Sequence, residues 1–88
     1  MHVVFLEKFS KDLDKIKDKK TRRAVKNAIF KLETAESVNL ITGLKRLKGE
    51  KDAYRLRIGD YRIGMYIQSN TVELARIAHR KDIYDIFP

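Results

Sequence analysis

An α+β fold is predicted by three observations on this 88-residue chain. Two amphipathic helical patterns stand together in the first half. Strand patterns stand together in the second half. Between Tyr54 and Ile67, "YRLRIGDYRIGMYI" alternates so regularly that it reads as a hairpin. Helices segregated from antiparallel strands define this class. The expected architecture is an N-terminal strand, a two-helix hairpin and a three-stranded antiparallel meander. Both helices pack on one apolar face, and the opposite face is left without a helical cover. A chain of this length forms a single domain, 1–88, which buries roughly 60–65% of the surface its unfolded form exposes.

The elements follow in order. His2 to Leu6 is apolar and β-branched, which predicts a first strand. Ser10 suits an N-cap, and Phe9, Leu13 and Ile16 then share one helical face through about Lys17. "KDKK", Lys17 to Lys20, is a polar turn. A second helix runs from about Thr21 to Ala35, with Ala24, Val25, Ala28, Ile29 and Leu32 as a stripe at helical period. Ser37 to Lys51 reads as an irregular connector whose Leu40, Leu44 and Leu47 dock toward the core. Three strands lie between Ala53 and Arg80, and "KDIYDIFP" closes the chain.

The hairpin sorts its side chains onto two faces. Gly59-Asp60 fits a two-residue type II′ loop with glycine first. Ile58 then opposes Tyr61, Leu56 opposes Ile63 and Tyr54 opposes Met65, a coherent apolar row. On the other face Arg57 opposes Arg62, and Arg55 opposes Gly64. A like-charge pair is locally unfavourable, and a glycine within a strand weakens it. An anion seated between the arginines offsets the repulsion, and a phosphate matches guanidinium donors bidentately. A solvated outer face is the plainer reading of any single arginine here.

The next strand needs a correction of phase. With a Ser69-Asn70 loop, Val72 and Leu74 face the core, but strict alternation then buries Arg76. A bulge near Ala75–Arg76 restores Ile77 to the core and moves Arg76, Ala78 and Arg80 to the arginine face.

Composition narrows the chemistry. Twenty Lys and Arg against twelve Asp and Glu give a net charge of +8, which favours a polyanionic partner. The chain has no cysteine, so disulfides, thiolate metal sites and cysteine nucleophiles are excluded. The apolar run Val3 to Leu6 is too short for a signal peptide or a membrane span, so a cytoplasmic protein with no membrane partner is expected. His2 and His79 are far apart and no carboxylates show ligand spacing, so neither a metal nor another cofactor is expected. Glycine-rich phosphate loops are absent, and Ser10, Ser37 and Ser69 lack a nucleophile-elbow context.

What remains is a basic site made of arginines, His79, Tyr66 and Tyr84, with Lys45, Arg46 and Lys48 of "KRLKGEK" adding charge. RNA supplies its own nucleophile, the 2′-OH. A protein that cleaves it needs cations for the developing phosphorane charge, a proton acceptor and donor, and in-line alignment. His79 has the one ordinary pKa near neutrality, and a tyrosine can stack on a base. The plainer readings are a strand-end histidine satisfied by backbone, and a Tyr84 that packs the C-terminal tail onto the sheet.

"LKRLKG", "YRLRIGDYRIGMYI" and "RIAHRKDIYDIF" resemble the RelE/ParE superfamily of bacterial and archaeal toxins, over essentially the whole chain. The resemblance implies a small toxin neutralised by a co-expressed antitoxin. RelE-type members cut mRNA in the ribosomal A site through the 2′-OH and without metal. ParE-type members inhibit DNA gyrase. By position, the resemblance implies that Arg55 and Arg57 are the basic strand residues and that Arg62 holds the scissile phosphate. Arg80 falls on the late arginine and Tyr84 on the C-terminal tyrosine. His79 stands where several ribosome-dependent relatives carry histidine. Arg55 and Arg57 replace lysines of the best-known member, and an arginine does not lose its proton, so they contribute charge and position. The expectation is therefore a ribosome-dependent mRNA endonuclease. Arg57, Arg62, His79, Arg80 and Tyr84 would be catalytic, and Arg55, Arg76, Tyr66, Lys45, Arg46 and Lys48 would bind RNA. The alternative is a gyrase-binding toxin.

Overall fold

The central hairpin adopts the register its alternation predicts. A computed structural model describes all residues, Met1–Pro88. Strands β3 (Ala53–Ile58) and β4 (Tyr61–Gln68) pair antiparallel, with Ile58 opposite Tyr61, Arg57 opposite Arg62 and Arg55 opposite Gly64. Gly59 takes a positive φ of 57° while Asp60 does not, as a type II′ turn requires.

Strand β5 (Thr71–His79) follows a Ser69-Asn70 turn whose two residues both have positive φ, the type I′ arrangement. Val72 pairs with Ile67 and Leu74 with Met65; the register then shifts, and Arg76 meets Gly64 while Ile77 meets Ile63. Ala75 is the extra residue. The expected bulge is present, and Ile77 is buried at 3% exposure.

The sheet is larger than the meander. Its order is β1-β5-β4-β3-β2. Strand β1 (His2–Phe5) lies parallel to the first half of β5. Strand β2 (Leu44–Arg46) was hidden in the supposed connector, and pairs antiparallel with β3. Three residues carrying Lys45 and Arg46 make a weak strand signal, although short charged strands are common at sheet edges.

The helices are displaced from their expected ends. Helix α1 spans Glu7–Asp14 rather than starting after Ser10, and Leu6 precedes it with no side-chain cap. The Leu6 N–H donates to Leu74 O, and Leu6 O accepts from Ser10 N–H. The chain thus passes from strand to helix through a tertiary bond that no local pattern shows. Helix α2 (Lys19–Thr34) is capped by Asp18, which accepts from the Thr21 N–H at 3.1 Å. The Thr21 hydroxyl first, and then its N–H, hold the Asp18 carboxyl below the usual carboxylate range. This cap is in place above that range and is lost as pH falls through the lowered value.

Two apolar clusters lie on opposite faces of the sheet. The larger joins Phe9 of α1 and Val25 and Leu32 of α2 to Leu56, Ile63, Met65, Val72, Leu74 and Ile77. The opposite face is not left bare, contrary to expectation. A short helix α3 (Ile83–Ile86) packs there, and Ala53, Ala75, Ile83 and Phe87 form a second buried cluster. Four residues are too few for a periodic signal, so the tail alone does not announce this helix.

One carboxylate ties α1 to the sheet. Beyond Leu74, β5 has lost its β1 neighbour, and Asp12 takes that place. Its Oδ2 accepts from the Ile77 N–H at 3.1 Å and from Arg76 Nε at 2.7 Å, and its Oδ1 accepts from Arg76 Nη2 at 3.1 Å. The pair is largely buried, with side chains 12% and 24% exposed. Asp12→Ala leaves a strand N–H and a half-buried guanidinium without partners. The expected loss is about 2–3 kcal/mol, read as a lower urea midpoint with an unchanged m-value.

Candidate nucleic-acid interface

The basic face is built from adjacent rows of strand residues. One row runs Lys45, Arg55, Gly64, Arg76 across β2 to β5, and the next contains Arg57, Arg62 and Ala78. Gly43 closes the second row, because its carbonyl accepts from the Arg57 N–H at 3.1 Å. Gly43, Lys45, Arg55, Arg57, Arg62 and Tyr84 line a recess of about 330 Å³.

Each member is held differently. Arg62 donates from Nη1 to Gly59 O (2.8 Å) and Tyr61 O (2.9 Å), which leaves Nε and Nη2 for a ligand. The Arg55 guanidinium lies 4.3 Å from the centre of the Tyr84 ring. Tyr84 is otherwise 68% exposed. Only two ion pairs form in the molecule, Glu7–Lys11 and Asp12–Arg76. Lys45, Arg55, Arg57 and Arg62 therefore converge with no carboxylate to neutralise them. Guanidinium forks arranged this way match a phosphate.

The strand glycine has a partner within the chain. A Cβ built on Gly64 would clash with the face of the Phe87 ring, at Cγ and Cδ2. The absent side chain admits Phe87 rather than leaving the backbone open to an incoming anion.

Several expected residues do not reach the recess. Arg76 stands in the arginine row, but Asp12 takes its Nε–Nη2 edge and neutralises its charge, and these hydrogen bonds push its pKa upward; it does not line the recess. His79 lies opposite Tyr61 with ring centres 5.8 Å apart, on the helix-covered side. Its Nδ1 accepts from the Lys81 N–H at 3.2 Å. The sheet separates it from Arg62, so the two do not form one constellation. Tyr66 packs against Phe87, ring centres 5.3 Å apart, in the second cluster. Arg46 is out of phase with Lys45 and, with Lys48, lines the β2–β3 loop instead. Arg80 follows β5 with its N–H on Asp60 O at 2.7 Å, beside the hairpin turn and exposed. It is near the recess but does not line it.

Gly43 and Phe87 were missed. "TG" before "LKR" was a usable turn signal, since Gly43 has φ 85°. The apolar triplet Ile83, Ile86 and Phe87 in the tail was a usable packing signal.

The chain is thus a small α+β domain that carries a carboxylate-free basic recess on its central hairpin. A family model described as the ParE toxin of type II toxin–antitoxin systems matches residues 3–84. The chain belongs to that family, within the RelE/ParE superfamily of toxins. Toxin RelE3 of Methanocaldococcus jannaschii is 38% identical over 89 residues, covering 100% of both chains. The toxin fold of the RelB–RelE antitoxin–toxin complex from Methanococcus jannaschii matches with a TM-score of 0.82 at 36% identity, covering 97% of this chain and 99% of that one. The archaeal RelE–RelB complex of Pyrococcus horikoshii OT3 shares the fold, with a TM-score of 0.73 at 22% identity over 90% of this chain and 93% of that one.

Binding of single-stranded RNA should lose counterion release when a recess arginine is removed. Arg57→Gln is expected to lower the slope of log K against log salt by about 0.7, in anisotropy titrations of a labelled oligonucleotide. Arg76→Gln is expected to lower stability and leave that slope unchanged.

Proposed function

We propose that this toxin is an endoribonuclease that cuts mRNA in the ribosomal A site, with the RNA 2′-OH as nucleophile. The observation that carries this reading is the recess itself. Three arginines and Lys45 converge without a carboxylate, and a tyrosine stands at the edge. Arg62 and Arg57 grip the scissile phosphate and stabilise the charge that builds on its equatorial oxygens. Lys45 and Arg55 hold the flanking backbone. Tyr84 offers a ring for a base and a phenol for proton transfer. No histidine or carboxylate lines the recess. The protein's share of the rate therefore comes mainly from charge and from in-line alignment of the 2′-OH with the leaving 5′-oxygen. Arg80, beside the hairpin turn, is placed to meet the RNA as it enters.

The partners follow from the same reading. The ribosome carries the mRNA, and a net charge of +8 suits its RNA walls. RelE chains from two archaea are seen with RelB antitoxins, so a cognate antitoxin is proposed for this chain, with the cytoplasm as the site of action. No helix is long and apolar enough to cross a membrane.

The family-model match to ParE favours a second reading, inhibition of DNA gyrase without catalysis. A supercoiling assay with purified protein separates the two.

Expression is expected to arrest growth and to leave cuts within codons, mapped by primer extension. Arg62→Ala should keep its far-UV spectrum and lose cleavage by about a hundredfold or more. A folded Arg62→Ala protein that still cuts mRNA refutes the role given to this residue. Gyrase inhibition by a wild-type protein that leaves mRNA intact establishes the second reading instead.

A further inference from the structure

The tail does more than close the chain. We infer that Phe87, seated on Gly64, is a positioning residue that holds Tyr84 against Arg55. The inference rests on the RNA-cleavage reading only for its functional readout.

The seat is made of small residues, with Tyr66 at its side, on the face that carries the arginines. Ala53 is 0% and Ala75 7% exposed, and Gly64 between them has no room for a Cβ beneath the Phe87 ring. Two anchors fill the seat. Ile83 is 0% and Phe87 3% exposed, and the Phe87 N–H closes onto Ile83 O at 2.9 Å. A helix of four residues has no stability of its own, so its place and rotation are set by these anchors. Tyr84 follows Ile83 and is therefore turned about 100° around the helix axis. That rotation carries its ring away from the seat and over the Arg55 guanidinium.

A cation–π contact at an exposed site is too weak to order a short helix unaided. The causal order runs from seat to anchors to Tyr84, and from Tyr84 to the recess. The arrangement leaves one ring face of Tyr84 on Arg55 and the other open, where a nucleobase can stack.

The test has two arms. In the first, the side-chain protons of Arg55 are followed by NMR, because the Tyr84 ring current displaces them. Tyr84→Ala gives the unstacked reference. Phe87→Ala is expected to move Arg55 to that reference, and Phe87→Leu, which refills the seat, to restore most of the displacement. Gly64→Ala evicts the ring from the opposite side and should reproduce the Phe87→Ala shift, which covers the case in which Phe87→Ala does not fold. A folded Phe87→Ala or Gly64→Ala protein whose Arg55 signals stay at the wild-type position overturns the inference.

In the second arm, cleavage on programmed ribosomes is measured at saturating toxin. Phe87→Ala is expected to slow it about tenfold, and to add less than twofold in a Tyr84→Ala background. Effects that multiply instead show that Phe87 acts by stability alone and overturn the inference. If wild-type protein leaves mRNA intact, the nuclease reading fails, and the NMR arm still decides whether Phe87 positions Tyr84.

Discussion

The phase of the central hairpin is the constraint on which the rest depends. With a period of two, a slip of one residue between β3 and β4 would put Arg55, Arg57, Arg62 and Gly64 where core side chains now stand. Gly59 pins that phase by accepting the positive φ its turn requires. Burial of Leu56, Ile58, Ile63 and Met65 reinforces it. Convergence of Arg55, Arg57 and Arg62 on the other face follows with no separate interaction to arrange it. Core formation and site formation are thus one event, and the repulsion between Arg57 and Arg62 is carried by the apolar contacts on the reverse side.

The basic face is divided in two. Toward β2 and the hairpin turn it is open and cationic. Toward β5 and the strand end at Ala53 it is small, apolar and roofed by α3. The boundary runs along the Arg55–Gly64–Arg76 row, where three neighbours have three fates. Arg55 stacks under Tyr84, Gly64 yields its space to Phe87, and Arg76 turns to Asp12. Position in a row does not determine whether a cation is available to a ligand. The nearest carboxylate and the nearest ring do.

What was legible in the sequence was local. The hairpin register could be read because opposed residues lie within a dozen positions and sort by polarity. The bulge could be read because burying Arg76 opposite Ile63 is too costly to accept. The start of α1 could not be read, because it depends on Leu6 bonding to Leu74. The engagement of Arg76 could not be read either, since its partner Asp12 is 64 residues away. His79 is a different case: once Ile77 was placed in the core, alternation alone put His79 on the same side as Ile77, away from Arg62.

That parity rests on the bulge. Leu74 pairs with Met65 and Arg76 with Gly64, so Ala75 is taken up without a partner and His79 stays opposite Tyr61. Were Ala75 paired instead, the continued register would set Ile77 opposite Arg62 and turn His79 toward the arginines. Whether the ladder absorbs this one residue or pairs it therefore decides which ionisable group shares the recess. Bulging, rather than substitution, becomes a route by which this fold could exchange a purely cationic site for one with an imidazole.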